Sequence, residues 1–209
     1  MNDYIYKFNS FVANELISLK DLTILEFGVK EGRSTKIFLQ HCEKNGGKLY
    51  SIDVNDYKDK FNDSNWTFIQ SRDDNFDYLE NKLPKKFDVI YLDSLHEADH
   101  VEKILYYYFD KLKIGGLFFI DDTSWLPYIE NSQRDNFYCE INNKETFDKL
   151  LEIYNVNFDR FDINFDFTSS GVCKIFKKSE KLAKSKKISI RAMSFKNFIR
   201  KIVKFFRKI

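Results

Sequence analysis

Three cysteines in 209 residues, none in a CxxC pair, leave this chain without a disulfide framework or a cysteine metal site. Cys42, Cys139 and Cys173 fit a reduced, cytoplasmic protein. No apolar run approaches the ~20 residues needed to cross a bilayer. The opening MNDYIYKFNS is polar and mixed, not a secretory leader. No internal repeat is present, and the only biased segment is basic and C-terminal. Net charge is nearly absent too, at +2, but this conceals an asymmetry. Residues 177–209 hold thirteen Lys/Arg against one acid, Glu180, so that stretch is +12 and residues 1–176 are −10. With 43% hydrophobic and 17% aromatic residues, the acidic part can bury a real core. The expected division is a body over 1–176, a flexible basic linker over 177–193 and a helix over 194–209.

What is present is an alternation of short apolar runs and helical stretches. Residues 3–20 read as an amphipathic helix carrying Tyr4, Phe8, Phe11, Val12, Leu16 and Leu19. Strands are expected at 22–27, 48–53, 66–70, 87–92 and 117–120, with helices near 34–44, 74–82, 97–112 and 144–154. Gly115-Gly116 is read as a turn before the fifth strand. Runs at about 158–165 and 171–177 read as a closing antiparallel pair. The pattern predicts an α/β, Rossmann-like doubly wound sheet of seven mostly parallel strands with an antiparallel closing strand, plus a C-terminal basic amphipathic helix.

Ligands in such sheets sit at the carboxyl ends of the strands. Gly28, Asp53, Ser71, Asp93 and Asp121-Asp122 all fall at or just past predicted strand ends. Gly28 and Gly32 frame the first turn, and Lys30 occupies the middle position of what would otherwise be GxGxxG, which counts against a dinucleotide. Asp53, 25 residues after Gly28, is placed to accept both hydroxyls of a ribose. Asp73 or Ser71 could reach an adenine edge, or Asp73 or Asp74 could cap the next helix. Asp93, Asp121 and Asp122 would meet in one crevice, where like charges repel unless a cation or a proton offsets them. Oxygen-only ligands suit Mg²⁺, which could lower the pKa of a substrate hydroxyl; solvated loop ends are the alternative. His96-Glu97-Ala98-Asp99-His100 matches HExxH in letters, but it begins just past a strand end instead of inside a helix, so a zinc protease is not indicated. His96 is a candidate base or cofactor contact, whereas His41 and His100 read as structural or solvent-facing.

With these residues in place, the chain resembles class I S-adenosylmethionine-dependent methyltransferases, and among them small bacterial metal-dependent O-methyltransferases of the catechol and macrocin type. The resemblance rests on Glu26-Phe27-Gly28-Val29-Lys30-Glu31-Gly32, Asp53, Asp93-Ser94-Leu95-His96, Gly115-Gly116 and Asp121-Asp122, over roughly residues 20–125. It implies S-adenosyl-L-methionine with its methionine end near Gly28, Gly32 and Ser34, Glu26 close by, and its ribose on Asp53. It also implies Mg²⁺ at Asp93, Asp121 and Asp122, and His96 and Asp93 as catalytic groups, with His96 taking the hydroxyl proton. The implied reaction is O-methylation of a small acceptor such as a sugar. A hydroxylase-like relative and a non-catalytic cofactor-binding module are the alternatives. Residues 123–142 are the expected acceptor-facing segment, with Trp125, Tyr128, Arg134 and Tyr138 suited to a sugar or aromatic ring, or else an ordinary surface loop. No NPPY-type motif follows the fourth strand, which argues against methylation of base amino groups.

In residues 194–209, Phe195, Phe198, Ile199, Ile202, Val203, Phe206 and Ile209 share one helical face and Lys/Arg fill the remainder. That pattern fits in-plane binding to an anionic membrane surface, so the protein could be peripheral at the inner face of the membrane. Packing on the body or on a second subunit, and binding of nucleic acid, are the competing readings, with nucleic acid the weakest.

Overall fold

The structure is a computed structural model that describes residues 3–125, 140–188 and 195–207. Seven strands form one sheet in the order β3-β2-β1-β4-β5-β7-β6. They are β1 (Leu22–Phe27), β2 (Gly47–Asp53), β3 (Trp66–Gln70), β4 (Phe87–Leu92), β5 (Leu112–Asp121), β6 (Phe161–Asp166) and β7 (Val172–Lys177). β1 to β5 pair in parallel, and β7 alone runs antiparallel, between β5 and β6. Strand order reverses at β1, which has β2 on one side and β4 on the other. Their carboxyl ends there make the crevice in which open α/β sheets bind ligands.

The inner strands read as continuous apolar runs because both of their faces are covered. β1 shows the division. Leu25 and Phe27 join a core with Ile90, Ile104, Leu105, Phe109, Leu150 and Ile153, under α5 (Ala98–Lys111) and α6 (Glu140–Asn155). Ile24 faces the other way, into a core with Phe8, Val12, Leu16, Phe38, Leu39 and Tyr91. That second face is covered by α3 (Arg33–Asn45) and by a helical segment at the N-terminus. The segment starts as α1 (Asp3–Lys7), widens into a π-helical stretch over Phe8–Ala13 and closes with α2 (Asn14–Leu16). It stops short of the expected 20, which leaves Leu19 exposed.

Three further differences have local causes. α4 (Phe76–Glu80) is shorter than expected. β5 begins at Leu112, so Gly115 and Gly116 lie within the strand, where the β4 pairing shifts register. Gly116 belongs there because a Cβ would come within 2.9 Å of the Asp88 carbonyl oxygen. Residues 178–188, expected as a flexible linker, lie along the body. Asn157 Oδ1 accepts from the Ala183 amide at 2.6 Å, the Tyr106 hydroxyl donates to the Ala183 carbonyl at 2.8 Å, and Leu182 packs on the core. Lys177, the end of β7, is wholly buried, and its ammonium donates to the carbonyls of Phe109 and Leu112 at the end of α5. A cation suits the negative pole of a helix. The C-terminal helix, α7 (Phe195–Phe206), presents Phe195, Phe198, Ile199, Ile202, Val203 and Phe206 exposed. Among the described residues no helix is long and apolar enough to cross a membrane.

Candidate active site

The β1–α3 turn is built on one close approach. Gly28 has φ +91°, and a Cβ there would lie 1.9 Å from the Asp93 carbonyl oxygen, so the ends of β1 and β4 can meet only over a glycine. Lys30 follows in a left-handed conformation at φ +43°, an unusual one for a side chain that is not glycine. Asp53 fixes the turn from the end of β2, its Oδ2 accepting the Val29 amide at 2.8 Å and the Lys30 amide at 3.3 Å.

Glu26 sits beneath this turn, wholly buried, and lines neither of the cavities described next. It accepts hydrogen bonds from Ser34 Oγ at 2.6 Å, Thr35 Oγ1 at 2.8 Å and Ser51 Oγ at 2.6 Å. Burial pushes its carboxyl up to about 7 against the pull of the three hydroxyls. Through these three bonds it joins β1, β2 and the start of α3. Gly32, at φ +75°, also faces inward, toward Phe61 and Lys60.

Two cavities open at the carboxyl ends of the strands and share Gly28, Lys30, Asp93 and Ser94 as a common wall. One, of about 540 Å³, is bordered by Ile52, Asp53, Val54, Tyr57, Ser71, Asp73 and Leu95. It pairs apolar walls with a carboxylate acceptor at the end of β2, a combination that fits an adenosine. Asp73, on the border of this cavity, is already engaged by neighbouring side chains. Its Oδ2 accepts from Ser94 Oγ at 2.5 Å and faces His100 Nε2 at 2.9 Å. It therefore ties α5 to the loop after β4, and α4 is capped at Asn75 without a side-chain bond. His100, read from the sequence as structural or solvent-facing, is buried against Asp73. Ser71 Oγ turns back to the Arg72 carbonyl.

The other cavity, of about 390 Å³, is bordered by Tyr4, Arg33, Ser34, Asp93, His96, Asp121 and Asp122. The three acids do converge on this space, but each already has a partner. His96 Nε2 lies 3.5 Å from Asp93 Oδ1 and 3.3 Å from Asp122 Oδ2. Burial alone would lower the His96 pKa, yet the two carboxylates push it up to about 9, so the imidazole is cationic at neutral pH. Burial alone would likewise raise Asp93, and the His96 imidazolium holds it below its ordinary value. Asp121 is 2% exposed and forms an ion pair with the ammonium of Lys7, which is 1% exposed. Asp121 Oδ1 also accepts the Asp122 amide, and Oδ2 accepts the Tyr91 hydroxyl, both at 2.9 Å. Even with Lys7 beside it, burial pushes the Asp121 carboxyl up to about 6.

The expected Mg²⁺ ligands Asp93, Asp121 and Asp122 thus meet in one space, each already engaged by groups of the chain itself. Among the described residues no group of three His, Cys, Asp or Glu side chains is disposed to hold a metal ion. Asp121 is engaged by Lys7 and Tyr91, and Asp93 and Asp122 flank an imidazolium. The sequence reading missed Lys7 and Tyr4, both carried by the N-terminal helix. The available signal was Lys7 itself, a charged residue next to Phe8 within the apolar stripe of an amphipathic helix. Tyr128, Arg134 and Tyr138 lie outside the described residues. Trp125 packs its ring against Phe147, with centroids 5.6 Å apart.

Residues 25–123 match the family model described as "Methyltransferase domain". Those residues, just under half of the chain, are similar to methyltransferase domains. Solved structures agree on the fold. The MycE methyltransferase from the mycinamycin biosynthetic pathway, in complex with Mg, SAH and mycinamycin VI, is 19% identical with a TM-score of 0.59, covering 83% of this chain and 50% of its own. The SAH-bound methyltransferase PaMTH1 of Podospora anserina is 17% identical with a TM-score of 0.56, covering 75% of this chain and 72% of its own. An rRNA methylase of Streptococcus thermophilus is 15% identical with a TM-score of 0.51, covering 77% of this chain and 90% of its own. The chain thus spans half the length of MycE. No curated protein matches it in sequence. At these identities the methyltransferase domain shares a fold with enzymes of very different acceptors, so the acceptor must be argued from the site.

Proposed function

We propose that the protein is an S-adenosylmethionine-dependent O-methyltransferase acting on a hydroxyl of a sugar or other small acceptor. One observation carries this reading. An adenosine-sized cavity ending at Asp53 and a carboxylate-lined cavity ending at His96 meet across Gly28, Asp93 and Ser94, at the switch point of a methyltransferase domain. S-adenosylmethionine supplies a methyl group already activated on a sulfonium, so the protein need only align, desolvate and accept a proton. Asp53 receives the ribose hydroxyls, and Ile52, Leu95 and Tyr57 enclose the base. Gly28 brings backbone close to the methionine end. An acceptor hydroxyl entering the second cavity donates to Asp93 Oδ1 or Asp122 Oδ2, and the proton it loses is kept in the carboxylate–His96 cluster. His96, cationic at rest, serves as a base only after passing on its own proton. The alternatives of a hydroxylase-like enzyme and a cofactor-binding module make less use of this cluster.

α7 extends the proposal to location. Its exposed apolar face, bordered by Lys196, Arg200, Lys201, Lys204 and Arg207, suits in-plane binding to an anionic membrane, where an acceptor linked to a lipid would be within reach. Calorimetry with S-adenosylhomocysteine tests the cofactor half. Binding by the wild type and a loss of about tenfold or more in Asp53→Ala is expected. An absence of binding by the wild type would end the methyltransferase reading, and equal binding by the variant would end the role of Asp53.

A further inference from the structure

Three carboxylates in one crevice need positive charge nearby, because each ionised acid raises the pKa of the next. The fold provides that charge from its own chain. His96 serves Asp93 and Asp122, and Lys7 serves Asp121. We propose that Lys7 is the built-in counter-ion of this site, holding at Asp121 the place that a divalent cation would otherwise take. The N-terminal helix is thereby part of the site as well as a cover for the sheet. The proposal rests on the reading of the cavity given above.

Lys7 is committed to this position. Its ammonium donates to Asp121 Oδ1, to Ser170 Oγ at 2.9 Å and to the Gly171 carbonyl at 3.3 Å, so all three of its protons have acceptors. A buried ammonium with three partners does not swing away to admit an ion without leaving all three unpaired. The same helix brings a second group. Tyr4 lies three residues earlier on the same face. Its hydroxyl is 3.2 Å from that of Tyr91 and donates to Asp93 Oδ2 at 3.4 Å. Tyr91 in turn donates to Asp121. Lys7, Asp121, Tyr91, Tyr4 and Asp93 form one chain of contacts reaching the cavity. The chemistry differs from that of a metal in one respect. An ammonium can neutralise a carboxylate, but it offers no coordination position to a substrate oxygen. The acceptor hydroxyl must therefore be oriented by hydrogen bonds to Asp93, Asp122 and His96. Lys7 is a positioning residue here, since it acts through Asp121.

Mn²⁺ titration of the full chain, followed by electron paramagnetic resonance with and without S-adenosylhomocysteine, tests the assignment. Wild type and Lys7→Arg are expected to show only weak, diffuse Mn²⁺ binding. Lys7→Met keeps the length of the side chain but strands Asp121 beside Asp93 and Asp122, and is expected to bind one Mn²⁺ at least about tenfold more tightly than that weak binding. A site lost for merely structural reasons would not gain a cation. One tightly held Mn²⁺ in the wild type, abolished by Asp122→Asn, would overturn the proposal, and so would a folded Lys7→Met that titrates like wild type. The wild-type arm needs no variant, so the proposal can be refuted even if Lys7→Met does not fold. Calorimetry on the same samples separates the two readings. If none of them binds S-adenosylhomocysteine, the cofactor reading fails and the Mn²⁺ result still stands.

Discussion

Replacing Glu26 by Gln should change how stability depends on pH in a calculable way. Burial raises the Glu26 carboxyl from its ordinary 4.5 to about 7, with the hydroxyls of Ser34, Ser51 and Thr35 opposing. The folded state thus binds a proton more tightly than the unfolded chain. For a group with a raised folded pKa, the stabilising contribution is fully present below about 4.5 and is lost as pH rises through about 7. At 1.36 kcal/mol per pKa unit, the loss between pH 5 and 8 comes to roughly 2–3 kcal/mol. Glu26→Gln cannot titrate, and its amide keeps an oxygen for the hydroxyls while its nitrogen turns one of them into an acceptor. Urea unfolding of wild type and variant at pH 5, 6, 7 and 8 should therefore show the variant gaining on wild type by about that amount, with the change complete by pH 8. The rival account is that three hydroxyl donors hold the carboxylate ionised, as such bonds can. It predicts the opposite sign, with wild type gaining on Glu26→Gln as pH rises from acid values. That result, or parallel pH profiles, would refute the reasoning.

Two further outcomes are expected. The His96 imidazole should titrate near pH 9 by NMR, because Asp93 and Asp122 outweigh its burial; the stability it contributes is present below its ordinary 6.5 and is lost as pH rises through about 9. Asp122→Asn should lower that midpoint, and an unchanged midpoint would remove Asp122 as a partner. Full-length protein should float with anionic vesicles and release in high salt, whereas Phe198→Glu with Ile202→Glu should stay in solution; equal flotation would rule out α7 as the membrane contact.

Much of the body could be read from residue order because local and global signals agree there. The runs 22–27, 66–70 and 87–92 became strands with those bounds, since each is a short, largely apolar run bounded by turn or polar residues. The Gly28 turn and the acid after β2 followed from the same pattern. What could not be read is where charged side chains go once the chain closes. Lys177 looked like the first residue of a solvated basic stretch, yet it is buried against the carbonyls at the end of α5, a destination that depends on β7 lying beside β5. Asp73 was open to two readings, an adenine contact or a helix cap, and its carboxylate meets Ser94 and His100.

Lys7 is the most instructive of these residues, because it offers a second answer to the question that the three acids pose. Three acids at the ends of β4 and β5 demanded a cation, and the demand was correct. The oxygen-only set of side chains pointed to an external ion such as Mg²⁺. The supplying residue lies 114 positions from Asp121 in the chain, on a helix whose apolar stripe gave it another purpose. A lysine inside an apolar stripe costs several kcal/mol to bury unless an acid awaits it. Likewise, an aspartate as fully buried as Asp121 needs a partner. Each is an anomaly alone, and each removes the other's cost. Two unexplained buried charges of opposite sign in one chain are therefore a stronger prediction of a contact than either is of a ligand.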